Sequence, residues 1–157
     1  MQIILVIFVL LWTQALAYGA ESQSVYFLGL ASHADPNPKT HEGNMWLLGY
    51  SREYQVNSWQ LEPGVNSYID SYDIRSYTVF MDISHDDFKY TYFRPMLSLS
   101  CMYKGISHDN DEMAFRCYPL LKIRIGGETN LFANIIPIPY VSGVTNGLIA
   151  VEVGYRW

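Results

Sequence analysis

The sequence contains little charge and little cysteine. Only 16% of its 157 residues are charged and two are cysteines, whereas half are apolar. An average soluble domain carries roughly 25% charged residues. Disordered chains combine low hydrophobicity with high charge, so this composition excludes disorder. The net charge of −5 lacks the basic character that binding to phosphate backbones requires, and we expect no nucleic-acid partner.

Long apolar runs are missing from most of the chain. The run Ile3–Trp12 is shorter than the roughly 20 apolar residues that a membrane-spanning helix needs. It is followed by Ala15-Leu16-Ala17, a small-x-small pattern typical of signal-peptide cleavage. We therefore expect residues 1–17, or 1–20 with a later cut, to be an export signal, and residues 18–157 to form one domain. Without a second apolar run, this domain can span a membrane only as a closed β-barrel.

What the mature sequence does contain is alternation with a period of two. Near the C-terminus every second residue is apolar or aromatic, namely Ile149, Val151, Val153, Tyr155 and Trp157. Eight such runs are separated by turn signals, at about 24–34, 43–55, 58–69, 76–84, 90–104, 113–125, 129–139 and 148–157. An even number of alternating runs is typical of barrels that cross the outer membrane of Gram-negative bacteria. We predict an all-β, eight-stranded antiparallel up-and-down transmembrane barrel.

Aromatic residues concentrate near the ends of these runs, as in the interfacial girdles of membrane barrels. The predicted girdle residues are Tyr26, Tyr50, Tyr54, Trp59, Tyr90, Tyr92, Tyr103, Tyr155 and Trp157. A soluble lipid-binding barrel of the lipocalin type is the alternative, and it requires a polar outer face. The alternating apolar face predicted here favours the membrane barrel.

Two pairs of residues mark particular points of the predicted wall. Cys101 and Cys117 fall on neighbouring runs, where a disulfide and two reduced, lipid-facing thiols are both open interpretations. Pro137 and Pro139 interrupt the seventh run, and since proline cannot donate a hydrogen bond, we expect weak pairing there. Such a weak seam is either a lateral opening toward lipid or an ordinary strand end.

Three polar residues are expected to meet at one rim of the barrel. His33 ends the first run, and Asp70 and Ser71 end the third, which points the same way in an up-and-down barrel. A hydroxyl, an imidazole and a carboxylate are the groups that support acyl transfer by proton abstraction from a nucleophile or acceptor. A polar rim without catalysis is the alternative. The four histidines show no metal-ligand spacing, so we expect no metal.

Several segments resemble the lipid A palmitoyltransferase family (PagP) in the same order along the chain. One segment around His33 and another around Asp70 and Ser71 match its short catalytic motifs. The matching segments are Leu30–Ala34, Gly43–Tyr54, the strand from Trp59, Tyr68–Tyr72, and Tyr118–Leu121 through Ile135–Pro139. The resemblance covers most of the mature chain and depends on order and spacing.

The resemblance implies an outer-membrane enzyme with an apolar interior that holds one acyl chain. The enzyme would move a palmitoyl group from a phospholipid donor to lipid A, without a cofactor. His33, Asp70 and Ser71 would form the catalytic group, and Pro137 and Pro119 would lie at lateral gates.

Two further expectations concern the interior and the rival function. Glu152 and Arg156 fall on the inward register of the last run, where they either form ion pairs with Lys122, Arg124 or Asp82 or leave the cavity too polar for an alkyl chain. A non-enzymatic barrel that uses its outer loops for adhesion or masking is the rival to acyl transfer. We expect a monomer in either case.

Overall fold

The structure is a computed structural model that describes residues 21–33, 43–70, 73–105, 113–126, 129–141 and 145–157. The expected export signal lies outside these residues. The strands are β1 (Ser22–His33), β2 (Gly43–Asn44), β3 (Leu48–Val56), β4 (Trp59–Ile69), β5 (Arg75–His85), β6 (Phe93–Gly105), β7 (Met113–Ile125), β8 (Leu131–Val141) and β9 (Thr145–Arg156). One short 3₁₀ helix, Asp86–Phe88, follows β5.

The strands form a closed antiparallel barrel. From β3 to β9 each strand pairs with the next along the chain, and β9 pairs with β1 from Arg156 opposite Ser24 to Leu148 opposite His33. The short β2 and β3 both pair with β1 and form one wall segment, interrupted at Trp46, whose φ is 47°. The predicted eight-stranded up-and-down barrel is therefore confirmed. The last strand begins at Thr145, three residues before the predicted run.

The outer surface of the barrel is apolar. Leu97, Leu121 and Ile149 are each about half exposed, at 49%, 51% and 54%. Exposed aromatic residues lie toward both strand ends, with Trp59, Phe93, Tyr155 and Trp157 at one end and Tyr77, Tyr103 and Phe115 toward the other. An apolar band between aromatic girdles is the architecture of outer-membrane barrels, which confirms the predicted location and does not fit a lipocalin.

The inner face of the wall is largely polar. On β5, Ser76, Thr78, Asp82 and Ser84 are buried, and they alternate with residues that face outward. Tyr26, predicted in a girdle, is fully buried and faces inward instead. The error has a physical cause: tyrosine suits a membrane interface, but its hydroxyl serves equally well inside a polar barrel, and this one donates to Glu62 at 2.8 Å.

Two glycines make room for aromatic rings in the middle of the interior. A Cβ at Gly64 would come within 2.3 Å of the Phe80 ring, and one at Gly154 within 2.5 Å of the Phe132 ring. Each ring packs over the backbone of its glycine, in the space that a side chain would occupy, as in aromatic rescue of strand glycines. Tyr26 packs edge-on between them, with ring centroids 5.9 and 5.6 Å away. These three rings form an aromatic layer across the barrel.

Pro63 and Gly64 interrupt only one of the two ladders of β4. Strand β4 runs without interruption from Trp59 to Ile69, and Pro63 keeps its register partner Met81 on β5. In the pairing with β3, the register pairs stop at Gly64 and resume at Leu61, because Pro63 has no N–H that could donate to β3.

Among the described residues, no helix is long and apolar enough to cross a membrane.

Candidate functional site

His33 and Asp70 lie at the same end of the barrel. The last parts of β1 and β4 are joined through the backbone of Met45. Its N–H donates to Gly29 O at 2.7 Å, and its carbonyl oxygen accepts from Ile69 N at 2.6 Å. His33 and Asp70 are both buried, at 6% and 5% exposure. Ser71, the third member of the predicted group, lies outside the described residues. We call this side of the barrel, where β1 and β4 both terminate, the His33 rim.

Asp70 is held in a tight turn after β4. Its carboxylate accepts a hydrogen bond from the Ser76 hydroxyl at 2.7 Å and another from the Ile74 backbone N–H at 3.1 Å. The backbone of Asp73, with φ of 65°, closes the turn by donating to Asp70 O at 3.0 Å. Ser76 is fully buried, so Asp70 has a fixed orientation. Ser76 was not among the predicted site residues, because the geometry of the turn that brings its hydroxyl to Asp70 does not follow from the sequence.

An internal cavity of about 100 Å³ opens below the His33 rim. His33 and Asp70 both line it, together with Tyr68 and Lys104. The walls below them are apolar and are formed by Leu47, Phe80, Met102, Leu120, Ile136, Ile138, Leu148 and Ala150. The structure thus brings an imidazole and a carboxylate to the mouth of one small apolar cavity.

The wall beside this cavity is weakly paired between β7 and β8. Among the described residues of β7 and β8, register pairs run only from Ile123 opposite Ile135 to Ile125 opposite Ala133. Pro119 keeps its partner Leu99 on β6, and Pro137 keeps Ile149 on β9, so each proline borders the seam. The weak pairing expected at Pro137 is observed.

An outer groove of about 660 Å³ lies over the seam and is lined by Pro119, Pro137 and Pro139. His33, Leu120, Ile138 and Leu148 line both this groove and the internal cavity. These side chains therefore border the cavity on one side and the lipid-facing groove on the other.

The lower interior is filled by ion pairs, contrary to the apolar interior that the resemblance implies. We define the ion network as Glu53, Glu62, Asp82, Arg94, Lys122, Arg124, Glu152 and Arg156. The sequence does alternate polar residues inward on several strands, and these residues meet inside the closed wall. An acyl chain cannot pass through this layer without breaking buried ion pairs.

Arg124 and Glu53 are the centres of the ion network. Arg124 is fully buried and donates to Glu62 at 2.8 and 3.1 Å and to Asn134 at 2.9 Å. Glu53 accepts from Arg94 at 2.8 Å and lies within 4 Å of two other guanidinium groups, including that of Arg156 at 3.5 Å. Four cations face four anions, so the network is neutral.

The expected partners of the two inward residues on β9 are found in part. Glu152 lies 3.4 Å from Lys122, as one of the expected pairs. Arg156 pairs with Glu53, which was not among its expected partners. Lys122 also bonds to Asp82 at 2.9 Å, so that one ammonium lies between two carboxylates.

Cys101 and Cys117 lie directly opposite each other on β6 and β7. Their sulfurs form a disulfide bond, and the Cα atoms lie 4.0 Å apart. Both belong to the outward register of their strands, together with Leu99 and Leu121. Among the described residues, no group of three or more His, Cys, Asp and Glu side chains is arranged to hold a metal ion.

The chain is similar to solved structures of known proteins. No family model and no curated protein matches the chain. Among solved structures, it is similar to the crystal structure of Neisserial surface protein A (NspA), with 16% identity and a TM-score of 0.45 over 88% of this chain and 97% of that one. It is also similar to the Yersinia pestis outer membrane protein Ail in a phospholipid bilayer nanodisc. That match has 13% identity and a TM-score of 0.43 over 88% of this chain and 100% of that one.

At these identities and TM-scores the likeness shows nothing about the function of this chain. It does not show membership of the lipid A palmitoyltransferase family. The function is therefore inferred from the residues of this chain.

Proposed function

We propose that this protein is a non-enzymatic outer-membrane barrel that adheres to surfaces or masks them through its loops at the His33 rim. The neutral ion network carries this proposal, because a barrel closed by buried ion pairs offers neither a pore nor a deep acyl well. The longest connection between strands, residues 34–42, leaves from this rim, whereas a two-residue turn joins β3 and β4 at the other. Short periplasmic turns and longer extracellular loops are typical of such barrels.

The size of the internal cavity supports the same proposal. Its volume of about 100 Å³ is below the roughly 300 Å³ at which pockets for drug-sized ligands begin. A palmitoyl chain is larger than the cavity and would meet the Lys122–Glu152 ion pair at its floor.

The loops can be tested by replacing residues 34–42 and 106–112 with Gly-Ser linkers of equal length. We expect bacteria that express the native barrel to be retained on surfaces coated with extracellular-matrix protein, and bacteria with the linker variant to be retained no better than cells without the barrel. The matched control changes the turn residues Asn57 and Ser58 at the opposite rim and should retain cells normally. Equal retention by native and linker forms would contradict the proposal.

Acyl transfer to lipid A from a phospholipid donor is the second candidate function. One observation favours it: His33 and Asp70 line the same cavity, and His33 also lines the groove over the unpaired seam. On this hypothesis Asp70 orients the His33 imidazole, which accepts the proton of the attacking lipid A hydroxyl, and the Ser71 hydroxyl takes part in the transfer. The new ester bond forms as the acyl ester of the phospholipid breaks, and the lysophospholipid leaves with the proton that the imidazole returns. The acyl chain would enter beside Pro119 and Pro137, and no cofactor takes part.

Mass spectrometry of lipid A tests this second function. If transfer occurs, the native protein adds one acyl group, and His33→Ala and Ser71→Ala each lower the added product by about 10²-fold or more, the usual contribution of general acid–base catalysis. Ser67→Ala, on the outward register of β4, is the matched control and should leave transfer unchanged. Lipid A of unaltered mass with the native barrel would eliminate this candidate.

A further inference from the structure

We propose that the internal cavity binds a small, uncharged amphipathic molecule with its hydroxyl group at the cavity floor. The site goes beyond the proposed function and does not depend on it. Its walls are the apolar side chains described above, and its floor is formed by Asn66, Thr78, Lys122 and Glu152. Apolar walls with a few convergent polar groups are the usual composition of a small-molecule site.

The floor contains a buried hydrogen-bond acceptor that the protein does not use. Asn66 is 9% exposed, and its Nδ2 donates to Glu152 at 3.3 Å. A carboxylate accepts only from the amide nitrogen, so Oδ1 is the remaining atom, and it has no hydrogen-bond partner. Buried polar groups are nearly always paired, so an unused acceptor at a cavity indicates a ligand with a donor.

Thr78 supplies the complementary group. It lies directly opposite Asn66 in the β4–β5 register and is 5% exposed. Its hydroxyl interacts with that of Tyr68 but makes no hydrogen bond of normal geometry. A ligand hydroxyl can donate to Asn66 Oδ1 and accept from Thr78 Oγ1, because one hydroxyl offers both functions.

The charge of the floor selects an uncharged ligand. Lys122 is bound to Asp82 at 2.9 Å and lies 3.4 Å from Glu152, and the whole ion network is neutral. A charged ligand would bring an uncompensated charge into the barrel interior, which is costly.

The cavity volume limits the ligand to a few carbon atoms. An engineered apolar cavity of about 150 Å³ holds one benzene molecule, so the cavity here, of about 100 Å³, suits a molecule of that size or smaller. A short-chain aliphatic alcohol meets the requirements for size, apolar walls and a hydroxyl end.

The test compares two isomers, 1-butanol and diethyl ether. They have the same atoms, but only the alcohol can donate a hydrogen bond. The full chain is refolded in lipid nanodiscs, and the methyl signals of Ala150 and Ile136 are followed by NMR during titration. We expect saturable shifts with 1-butanol and about tenfold weaker binding of diethyl ether, since the ether leaves Asn66 Oδ1 unpaired. Equal affinities for the two isomers would overturn the proposal, as would shifts that do not saturate.

Three variants separate this site from partition into lipid. Thr78→Val removes the hydroxyl with little change of shape and should weaken 1-butanol binding by about three- to tenfold. Ala150→Leu fills the cavity and should abolish saturable binding, whereas Val151→Leu, on the outer face of the same strand, should not affect it. Saturable binding that survives Ala150→Leu would contradict the site. The site would also be contradicted if the Asn66 carboxamide contacts only water when 1-butanol is present. If Ala150→Leu does not fold, the isomer comparison on the native chain still decides.

Discussion

Arg124→Met is expected to lower the free energy of unfolding of the barrel by about 3–5 kcal/mol, the cost typical of breaking a buried ion pair. Arg124 is fully buried, and its guanidinium makes two hydrogen bonds to Glu62, at 2.8 and 3.1 Å. Methionine fills similar space but leaves the Glu62 carboxylate without its main counter-charge. Urea-induced unfolding in lipid vesicles, followed by tryptophan fluorescence, measures the change.

The double variant Glu62→Gln, Arg124→Met separates charge from packing. Glutamine still accepts the hydrogen bonds of Tyr26 and Ser51 at this position but carries no charge, so most of the lost stability should return. Arg52→Met, at an exposed arginine on the outer register, is the matched control and should change stability by no more than about 0.5 kcal/mol. A double variant as unstable as Arg124→Met alone would show that lost packing, not an unpaired charge, accounts for the effect.

The barrel could be predicted from the sequence because its physical signal is local. A strand whose two faces meet lipid and interior must alternate every second residue, and each of the eight runs shows this without reference to its neighbours. Strand limits were less accurate: β9 begins at Thr145 and β8 ends at Val141, beyond the predicted runs. Backbone pairing continues there through residues whose side chains do not alternate in polarity.

The contents of the interior could be predicted only in part. The inward direction of Glu152 and Arg156 follows from the alternation, and the pairing of Glu152 with Lys122 was among the expected ones. The partner of Arg156 could not be read from the sequence, because contacts across a barrel depend on strand tilt and shear. Tyr26 shows a similar limit: the register of β1 shifts between Tyr26 and Leu28, and no sequence pattern marked this irregularity.

The rim shows which part of a site follows from topology. Up-and-down connection requires the ends of β1 and β4 to lie at one rim, and His33 and Asp70 do lie there, on one cavity. Which hydroxyl bonds to the Asp70 carboxylate depends on the turn after β4, and in the described part of the chain it is that of Ser76. Turn geometry at this level requires the structure.

Reduction of the Cys101–Cys117 disulfide is expected to lower the free energy of unfolding by about 3 kcal/mol, since that is the typical gain from closing a loop of about 15 residues. The two cysteines are 16 positions apart in the sequence. The measurement is urea-induced unfolding in lipid vesicles with and without dithiothreitol. The variant with both cysteines replaced by serine provides the control, and it should unfold identically in both conditions.

The position of the disulfide also predicts where the barrel loosens. In the described part of the chain, the residues of β7 before Ile123 have no register partner on β8, and they pair with β6. Cys117 lies within this stretch. Reduction should therefore accelerate amide hydrogen exchange in Phe115–Leu121 more than in the doubly paired strand β9. Equal acceleration in the two segments would mean that the disulfide stabilises the whole barrel by restricting the unfolded chain. It would contradict a local effect on the part of β7 that does not pair with β8.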